Sequence, residues 1–228
     1  MSRIAIITAR GGSKRIPKKN IREFLGKPIL AYSIEAALGS GLFDEVMVST
    51  DSTEIAEIAE AFGAKIPFYR SDATSNDFAT TNDVLLEVLD KYERRGVLFD
   101  TAVCIYPTAP FVTASKLIKA VEEFEASDAD TLIPVVQYSY PPQRALIIDQ
   151  GKLRFLYPEN MDSRSQDLMP QYHDVGQFYV FRPEAFKANK KIMLGNILPF
   201  IVDEREVQDI DNESDWAIAE MKYKTMHQ

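Results

Sequence analysis

Behind the first apolar run of the chain stands TARGGSKRIPKKNI, residues 8–21, which carries five cations, two glycines and a serine. Glycines after such a run let backbone approach an anion closely, and successive amides can form a concave nest for phosphate oxygens. Gly11, Gly12 and Ser13 supply that backbone and a hydroxyl; Arg10, Lys14, Arg15, Lys18 and Lys19 supply charge to neutralise a triphosphate. The run has neither G-x-x-x-x-G-K-[ST] nor G-x-G-x-x-G, so it is neither a P-loop nor a dinucleotide fingerprint. A solvated basic turn is the other reading, and Lys18 fits it better than a phosphate contact. Near the far end, Asp209 and Asp211 alternate around Ile210, so an extended backbone would turn both carboxylates to one side. Magnesium favours a few carboxylates with phosphate oxygens and water; a polar edge before a helix cap is the competing reading. Asp203, Glu204 and Glu206 read as a solvated acidic loop.

Elements must hold these groups in place. The β-branched run 4–8 ends at the glycines and reads as a buried parallel strand. Residues 28–38 have helical spacing, 45–49 (EVMVS) is a strand, and 53–62 is a helix ending at Gly63. A helix over 81–95, a strand over 101–106, a helix over 115–127 and a strand over 131–136 continue the alternation. It predicts a doubly wound α/β fold with a mostly parallel sheet and a ligand at the carboxyl ends of its strands. The rhythm breaks after Val136. Residues 138–172 are rich in Tyr, Pro, Gln and Arg, with a hairpin expected around Asp149-Gln150-Gly151. A strand over 176–181, a short helix from Pro183, a return to the sheet over 201–210, and a final helix over 213–224 capped by Asn212 complete the outline. It describes one domain, 1–228, carrying an arm at about 138–172.

Composition narrows the class. With 46% hydrophobic and 26% charged residues the chain can bury a core, and a net charge of −8 disfavours unspecific attraction to nucleic acid or an anionic membrane. No apolar run could span a bilayer, and the N-terminal one is too short for a signal peptide. Neither nucleic acid nor membrane is an expected partner. The single cysteine, Cys104, excludes an intrachain disulfide; it reads as a buried, inert thiol mid-strand. Cytoplasm is the expected compartment. The two histidines, His173 and His227, make a histidine metal site untenable.

Four segments in order carry a resemblance: residues 9–21, FDEVMVSTDSTEIAEIAEAFGAKIPFYR (43–70), SDATSNDFATTNDVL (71–85) and QDIDNESDWAIAE (208–220). Together they resemble the nucleotidyltransferases that make CMP-sialic acids and related CMP-nonulosonates, over nearly the whole chain. Within that family the pseudaminic acid branch is most similar. CIYPTAPF (104–111) puts Tyr106 where sialic acid enzymes have Gln, and His173-Asp174-Val175-Gly176 stands where they carry Arg-Pro-Asn-Gly. YSYPPQRAL (138–146), RSQDL (164–168) and YHDVGQFYVF (172–181) point to the same branch.

The resemblance implies a nucleotide-diphospho-sugar transferase (Rossmann-like) fold and a reaction. The anomeric hydroxyl of a nine-carbon 2-keto sugar acid attacks the α-phosphate of CTP with Mg²⁺ and releases diphosphate. It places Arg10, Gly11, Gly12, Ser13, Lys19 and Asn20 on the triphosphate, with Lys19 nearest the transferring phosphorus. Arg70, Ala79 and Thr81 fall on cytosine, where relatives often have Ser at Thr81. Asp209 and Asp211 fall on the metal, so that Lys19, Arg10, Asp209 and Asp211 carry the catalysis. Asp77 is open between a nucleotide contact and a cap, and Thr80 and Thr81 are both possible caps for the next helix. The sugar's carboxylate calls for a cation, Arg144 or Arg164, each of which could equally be a structural ion pair. Tyr106, Gln143, Gln166, His173, Asp174 and Gln177 are the other sugar candidates, and His173 competes with Mg²⁺ as activator of the sugar hydroxyl. Phe178, Tyr179 and Phe181 read as packing. A homodimer is implied, each arm reaching toward the partner's site. Two alternatives remain: the same chemistry on N-acetylneuraminate, another nonulosonate or 3-deoxy-octulosonate, or a catalytically silent nucleotide-binding module. The intact Lys19, Asp209 and Asp211 argue against the last.

Overall fold

A computed structural model describes residues 1–227; Gln228, the last residue of the 1–228 outline, lies outside them. The strands are β1 (Arg3–Thr8), β2 (Glu23–Phe24), β3 (Lys27–Pro28), β4 (Glu45–Ser49), β5 (Thr101–Ile105), β6 (Thr131–Gln137), β7 (Leu146–Asp149), β8 (Lys152–Phe155), β9 (Tyr172–Asp174), β10 (Phe178–Phe181) and β11 (Ile197–Ile201). The helices are α1 (Ile29–Ser40), α2 (Thr53–Ala61), α3 (Asp72–Ser75), α4 (Thr81–Glu93), α5 (Ala114–Glu125), α6 (Pro183–Asn189) and α7 (Glu213–Met226).

The main sheet runs β4-β1-β5-β10-β6-β11, with β9 paired to β6. β4, β1 and β5 are parallel neighbours, as are β6 and β11; β10 is antiparallel to both β5 and β6, and β9 is antiparallel to β6. The sheet is mixed but mostly parallel, as the alternation predicts. Chain order reverses beside β1, where β4 lies on one side and β5 on the other, and such a switch point opens a crevice at the strands' carboxyl ends.

Both faces of β1 are covered because its side chains alternate. Ala5 and Ile7 pack in one cluster with Leu30 and Ile34 of α1 and Leu117 and Phe124 of α5. Ile4 and Ile6 pack in another with Leu85, Val88 and Leu89 of α4. Cys104 is buried in the second cluster, and burial pushes its thiol up to about 12, so it stays protonated. A third cluster joins Ile16 of the basic segment, Phe24, Tyr32, Ile210 and Trp216 of α7. It binds the two charged ends of the chain to each other.

Two expectations need correction, and one element is new. The return to the sheet lies earlier than 201–210: the pairing strand is β11, Ile201 is its last residue and the Val202 amide donates to the Val135 carbonyl at 2.9 Å, after which the chain leaves through a short 3₁₀ turn at Glu204–Glu206. The polar run after Val202 does not extend that ladder. The β2–β3 hairpin was not anticipated; Leu25 (φ 49°) and Gly26 (φ 98°) make its turn, and a two-residue strand is too short for a period to register. At the start of α4, Thr80 alone is the cap, accepting from Asp83 N at 3.2 Å while Asp83 accepts from Thr80 N at 2.8 Å. Thr81 follows as the first helical residue and turns its hydroxyl elsewhere. Among the described residues, no helix is long and apolar enough to cross a membrane.

Candidate active site

A cavity of about 620 Å³ opens at the carboxyl ends of β1 and β5. Its wall takes residues from distant parts of the chain: Arg10, Ser13, Lys19 and Asn20 after β1, Arg70, Ala79 and Thr81 before and in α4, Tyr106 after β5, and Asp209 and Asp211 before α7. Ten predicted site residues therefore converge on one hollow.

The basic segment is shaped by a few anchors. Buried Asn20 donates from Nδ2 to the Arg10 carbonyl at 2.8 Å, closing the segment on itself. Ile16 is buried in the third cluster and pins its middle. Gly11 donates its amide to Asp51 Oδ1 at 2.8 Å, and a Cβ there would stand 3.2 Å from Ser52 Cβ, so glycine permits this close approach. Gly11 and Gly12 lie beside the wall rather than in it. Lys18 points away and pairs with Glu54 at 2.7 Å, the solvated role expected for it.

Across from this segment Ile210 is fully buried, which leaves Asp209 and Asp211 on either side of it lining the cavity. Lys19 Nζ donates to the Ile210 carbonyl at 2.6 Å and stands 3.8 Å from Asp211 Oδ1. Arg15 meets the same carboxylate at 2.8 Å. Burial pushes the Lys19 ammonium below its ordinary range, against the pull of Asp211 and Asp209. Burial, then the neighbouring Asp211 charge, pushes the Asp209 carboxyl up. The wall thus holds two carboxylates and a half-buried ammonium in close reach. Among the described residues no group of three or more metal-ligating side chains gathers.

The opposite wall is built on Arg70. Its guanidinium donates to the Ser49 carbonyl (Nε at 3.1 Å, Nη2 at 2.8 Å) and to Ser49 Oγ at 2.9 Å, and burial brings its pKa down to about 10. Those bonds dock the following segment onto the end of β4. Thr81 Oγ1 lies 3.2 Å from the Tyr106 hydroxyl. The Tyr106 ring meets Tyr179 edge-on with centroids 5.7 Å apart, and Tyr179 donates to Asp174 Oδ2 at 2.6 Å. Tyr179, expected only to pack, therefore links Tyr106 to Asp174.

The other sugar candidates lie outside the cavity wall. Gln143 Nε2 donates to the Met169 carbonyl at 2.8 Å, Arg144 reaches Ser165 Oγ at 3.4 Å, Arg164 pairs with Asp167 at 2.7 Å, and Gln166 is exposed. All four belong to the segment between β6 and β9, and Arg164 is the local ion pair that was its alternative. His173 meets Tyr138 at a tilt of 51°, centroids 4.7 Å apart, in a separate hollow of about 280 Å³. Gln177 is buried: its carbonyl accepts from Tyr106 N at 2.8 Å, Nε2 donates to Glu206 O at 2.6 Å, and Oε1 has no partner. Gly176 comes close to two residues of the cavity wall: a Cβ there would stand 3.9 Å from Tyr106 Cε2 and 4.0 Å from Asp209 Cγ.

Asp77 is not the helix cap, which is Thr80; it pairs with Arg10 at 2.7 Å and with Lys14. Pro107 and Thr108 also line the cavity without having been singled out. Their place just beyond the carboxyl end of a buried strand was the available signal.

The profile of the family described as Cytidylyltransferase matches residues 4–184. A pseudaminic acid cytidylyltransferase of Campylobacter jejuni subsp. jejuni serotype O:2 is 39% identical over 100% of this chain and 99% of its own. A CMP-N,N'-diacetyllegionaminic acid synthase of Legionella pneumophila subsp. pneumophila is 34% identical over 95% of this chain and 94% of its own. Among solved structures, a CMP:2-keto-3-deoxy-manno-octonic acid synthetase complexed with CTP superposes with a TM-score of 0.72 at 18% identity, over 100% of this chain and 99% of that one. At that identity the likeness speaks for the fold, that of the nucleotide-diphospho-sugar transferases.

Proposed function

The chain belongs to the cytidylyltransferase family and is a nucleotidyltransferase, and on that premise we propose that it converts CTP and pseudaminic acid to CMP-pseudaminic acid and diphosphate. The observation that carries the reading is the convergence of the basic segment, Arg70, Thr81, Asp209 and Asp211 on one cavity at a switch point of the sheet.

In the reaction the oxygen of the sugar's anomeric hydroxyl bonds to the α-phosphorus, the bond from that phosphorus to the bridging β-oxygen breaks, diphosphate departs, and the hydroxyl proton passes to solvent. Such displacement depends on neutralised charge and in-line placement more than on covalent help. We assign Arg10, Ser13, Lys19 and Asn20 to the triphosphate, directly or by shaping the segment, with Gly11 and Gly12 supplying its close backbone turns. Lys19 is the cation for the transferring phosphoryl group, because its ammonium is fixed by the Ile210 carbonyl and half removed from water. Ala79, Thr81 and the Arg70-docked segment form the wall for the base. A divalent cation belongs to this chemistry, and Asp209 and Asp211 fit Mg²⁺: two adjacent oxygen donors, one burdened by burial and like charge, with phosphates and water left to complete the shell. Bound there, the ion would neutralise developing charge on the phosphates.

For the sugar, the face nearest Asp209 is Gly176, Tyr106 and, behind them, Tyr179 and Asp174. We retain Tyr106, and Asp174 linked to it through Tyr179, as its determinants; His173 lines a separate hollow and Gln177 is buried with its amide donating to Glu206 O, so neither is assigned a contact. Gln143, Arg144, Arg164 and Gln166 belong to the arm at 138–172 and reach a sugar only in a homodimer, where they would serve the partner's site. The compartment is the cytoplasm, where CTP is made available.

Diphosphate release measured with CTP, ATP, GTP and UTP, against a panel of pseudaminic acid, N-acetylneuraminate, legionaminic acid and 3-deoxy-octulosonate, tests the reading. CTP and pseudaminic acid should give the highest kcat/KM. Equal turnover with ATP would remove the cytidylyltransferase reading. Comparable efficiency with N-acetylneuraminate would replace pseudaminic acid by the broader nonulosonate class. The name of the Campylobacter relative and its full-length match favour pseudaminic acid over the others.

A further inference from the structure

One carboxylate in the cavity wall has no part in the reaction described above. Asp77 lies among the cations of the basic segment, accepting from Arg10 Nη1 at 2.7 Å and from the Lys14 ammonium. Those bonds join the segment after β1 to the segment before α4, across the mouth of the cavity. The second segment is not a loose flap. The Ser71 amide donates to Glu87 Oε1 at 2.8 Å, the Ser71 hydroxyl to Oε2 at 2.9 Å, and the Thr74 hydroxyl meets the same carboxylate. The Phe78 and Ala79 amides both donate to Asn76 Oδ1, at 2.9 and 3.1 Å, and the Thr80–Asp83 capping box fixes the far end. Asp77 is therefore held in place by the turn on which it stands.

Resting on the nucleotide reading above, we propose that Asp77 competes with the phosphates of the nucleotide for Arg10 and Lys14, and so sets how tightly CTP and diphosphate are held. Each cation is paired with the carboxylate, through Arg10 Nη1 and the Lys14 ammonium, and a polyphosphate that takes those donors replaces Asp77. The anchored turn keeps the displaced carboxylate nearby, where its charge opposes the anion that replaced it. Its effect grows with the charge of that anion, so it bears hardest on the triphosphate and on the departing diphosphate, and lightly on a monophosphate. The site thereby gives up some affinity for CTP and gains faster loss of diphosphate.

The test is calorimetric binding of inorganic diphosphate, CTP and CMP to the full chain and to its Asp77→Asn variant, an isosteric change that removes the charge. Asp77 is solvent-facing, so the melting temperature should stay close to that of the parent. Expected is tighter binding of both diphosphate and CTP by about three- to thirtyfold, the span of two exposed ion pairs, with CMP changed by less than about twofold. The difference should shrink as salt is raised from about 0.05 to 0.5 M. Unchanged affinity for diphosphate overturns the proposal. Weaker binding of CTP and diphosphate also overturns it, because Asp77 would then be a contact rather than a competitor. Diphosphate binding is read without a nucleotide, so a chain that binds diphosphate but not CTP would remove the cytidylyltransferase reading and still decide the competition. No diphosphate binding by either protein would overturn both.

Discussion

Asp209 shares a wall with Asp211 and with the half-buried Lys19, and the charge that the proposed metal site would use comes at a cost to the fold. Its pKa in the folded chain lies above the ordinary 3.8, raised by burial first and by Asp211 second. The sign follows. The folded state holds the proton more tightly, so the carboxylate's contribution is most favourable below about pH 3.8 and is lost as pH rises through the raised value. Asp209→Asn should therefore melt higher than the parent at neutral pH, by roughly 1–3 °C, with the difference vanishing near pH 3. Turnover should fall about a hundredfold in the same variant, because a ligand of the proposed metal is lost. Calorimetric melting over pH 3–8 beside a diphosphate-release assay reads both effects. A variant that melts lower at neutral pH, or keeps the parent rate, would contradict the electrostatics or the metal assignment respectively.

The elements that bring these residues together were legible where periodicity is strong and obscure where the site is set by single anchors. β1, β4, β5 and β6 announce themselves as short β-branched runs, and α4 by its apolar spacing, so the sheet and the position of Lys19 after β1 could be read directly. Asp209 and Asp211 could be paired by alternation, but what aims them is Ile210 buried in the cluster that also holds Ile16, Phe24 and Trp216, residues too remote from one another for any local pattern. The same holds for the segment before α4. Glu87 reads as one more polar position on a helix, yet it ties down Ser71 and Thr74. Burial pushes its carboxyl up, but hydrogen bonds from Lys91, Thr74 and Ser71 outweigh that and bring it down to about 2. That stabilisation is present above about pH 4.5 and is lost as pH falls toward 2. Glu87→Ala should leave the helix formed, lower the melting temperature above pH 4.5 but not near pH 2, and raise KM for CTP several-fold with a smaller change in kcat. An unchanged KM would mean that the segment does not shape the base wall.

On the scale of the whole molecule, the segment between β6 and β9 departs from the logic of the rest. Its β7–β8 hairpin pairs with no strand of the main sheet, and a two-stranded hairpin alone is marginal in water. The turn is well formed, with Gln150 at φ 50° and Gly151 at φ 77°, which suits a tight two-residue connection. The register sets Leu146 opposite Phe155 and Ile148 opposite Leu153, so one face of the hairpin is apolar while Asp149, Lys152 and Arg154 belong to the other. Ile148 is 76% exposed, Leu153 68%, and nearby Tyr140 90% and Met169 80%. Isolated apolar residues on a surface need no explanation, but a patterned face on a projecting hairpin does. On the homodimer proposed above, a second copy of this chain would cover the face and bring Arg144, Arg164, Gln143 and Gln166 toward the partner's cavity. The parent chain should then be a dimer at micromolar concentration by light scattering. Ile148→Asp combined with Leu153→Asp places like charges directly opposite one another on the covered face, which should give a folded monomer. If the arm serves the partner's sugar, that monomer should keep its affinity for CTP while kcat/KM for the sugar acid falls at least about tenfold. A parent chain that stays monomeric would remove the assignment; a dimer that dissociates with full activity would leave the arm as an interface alone.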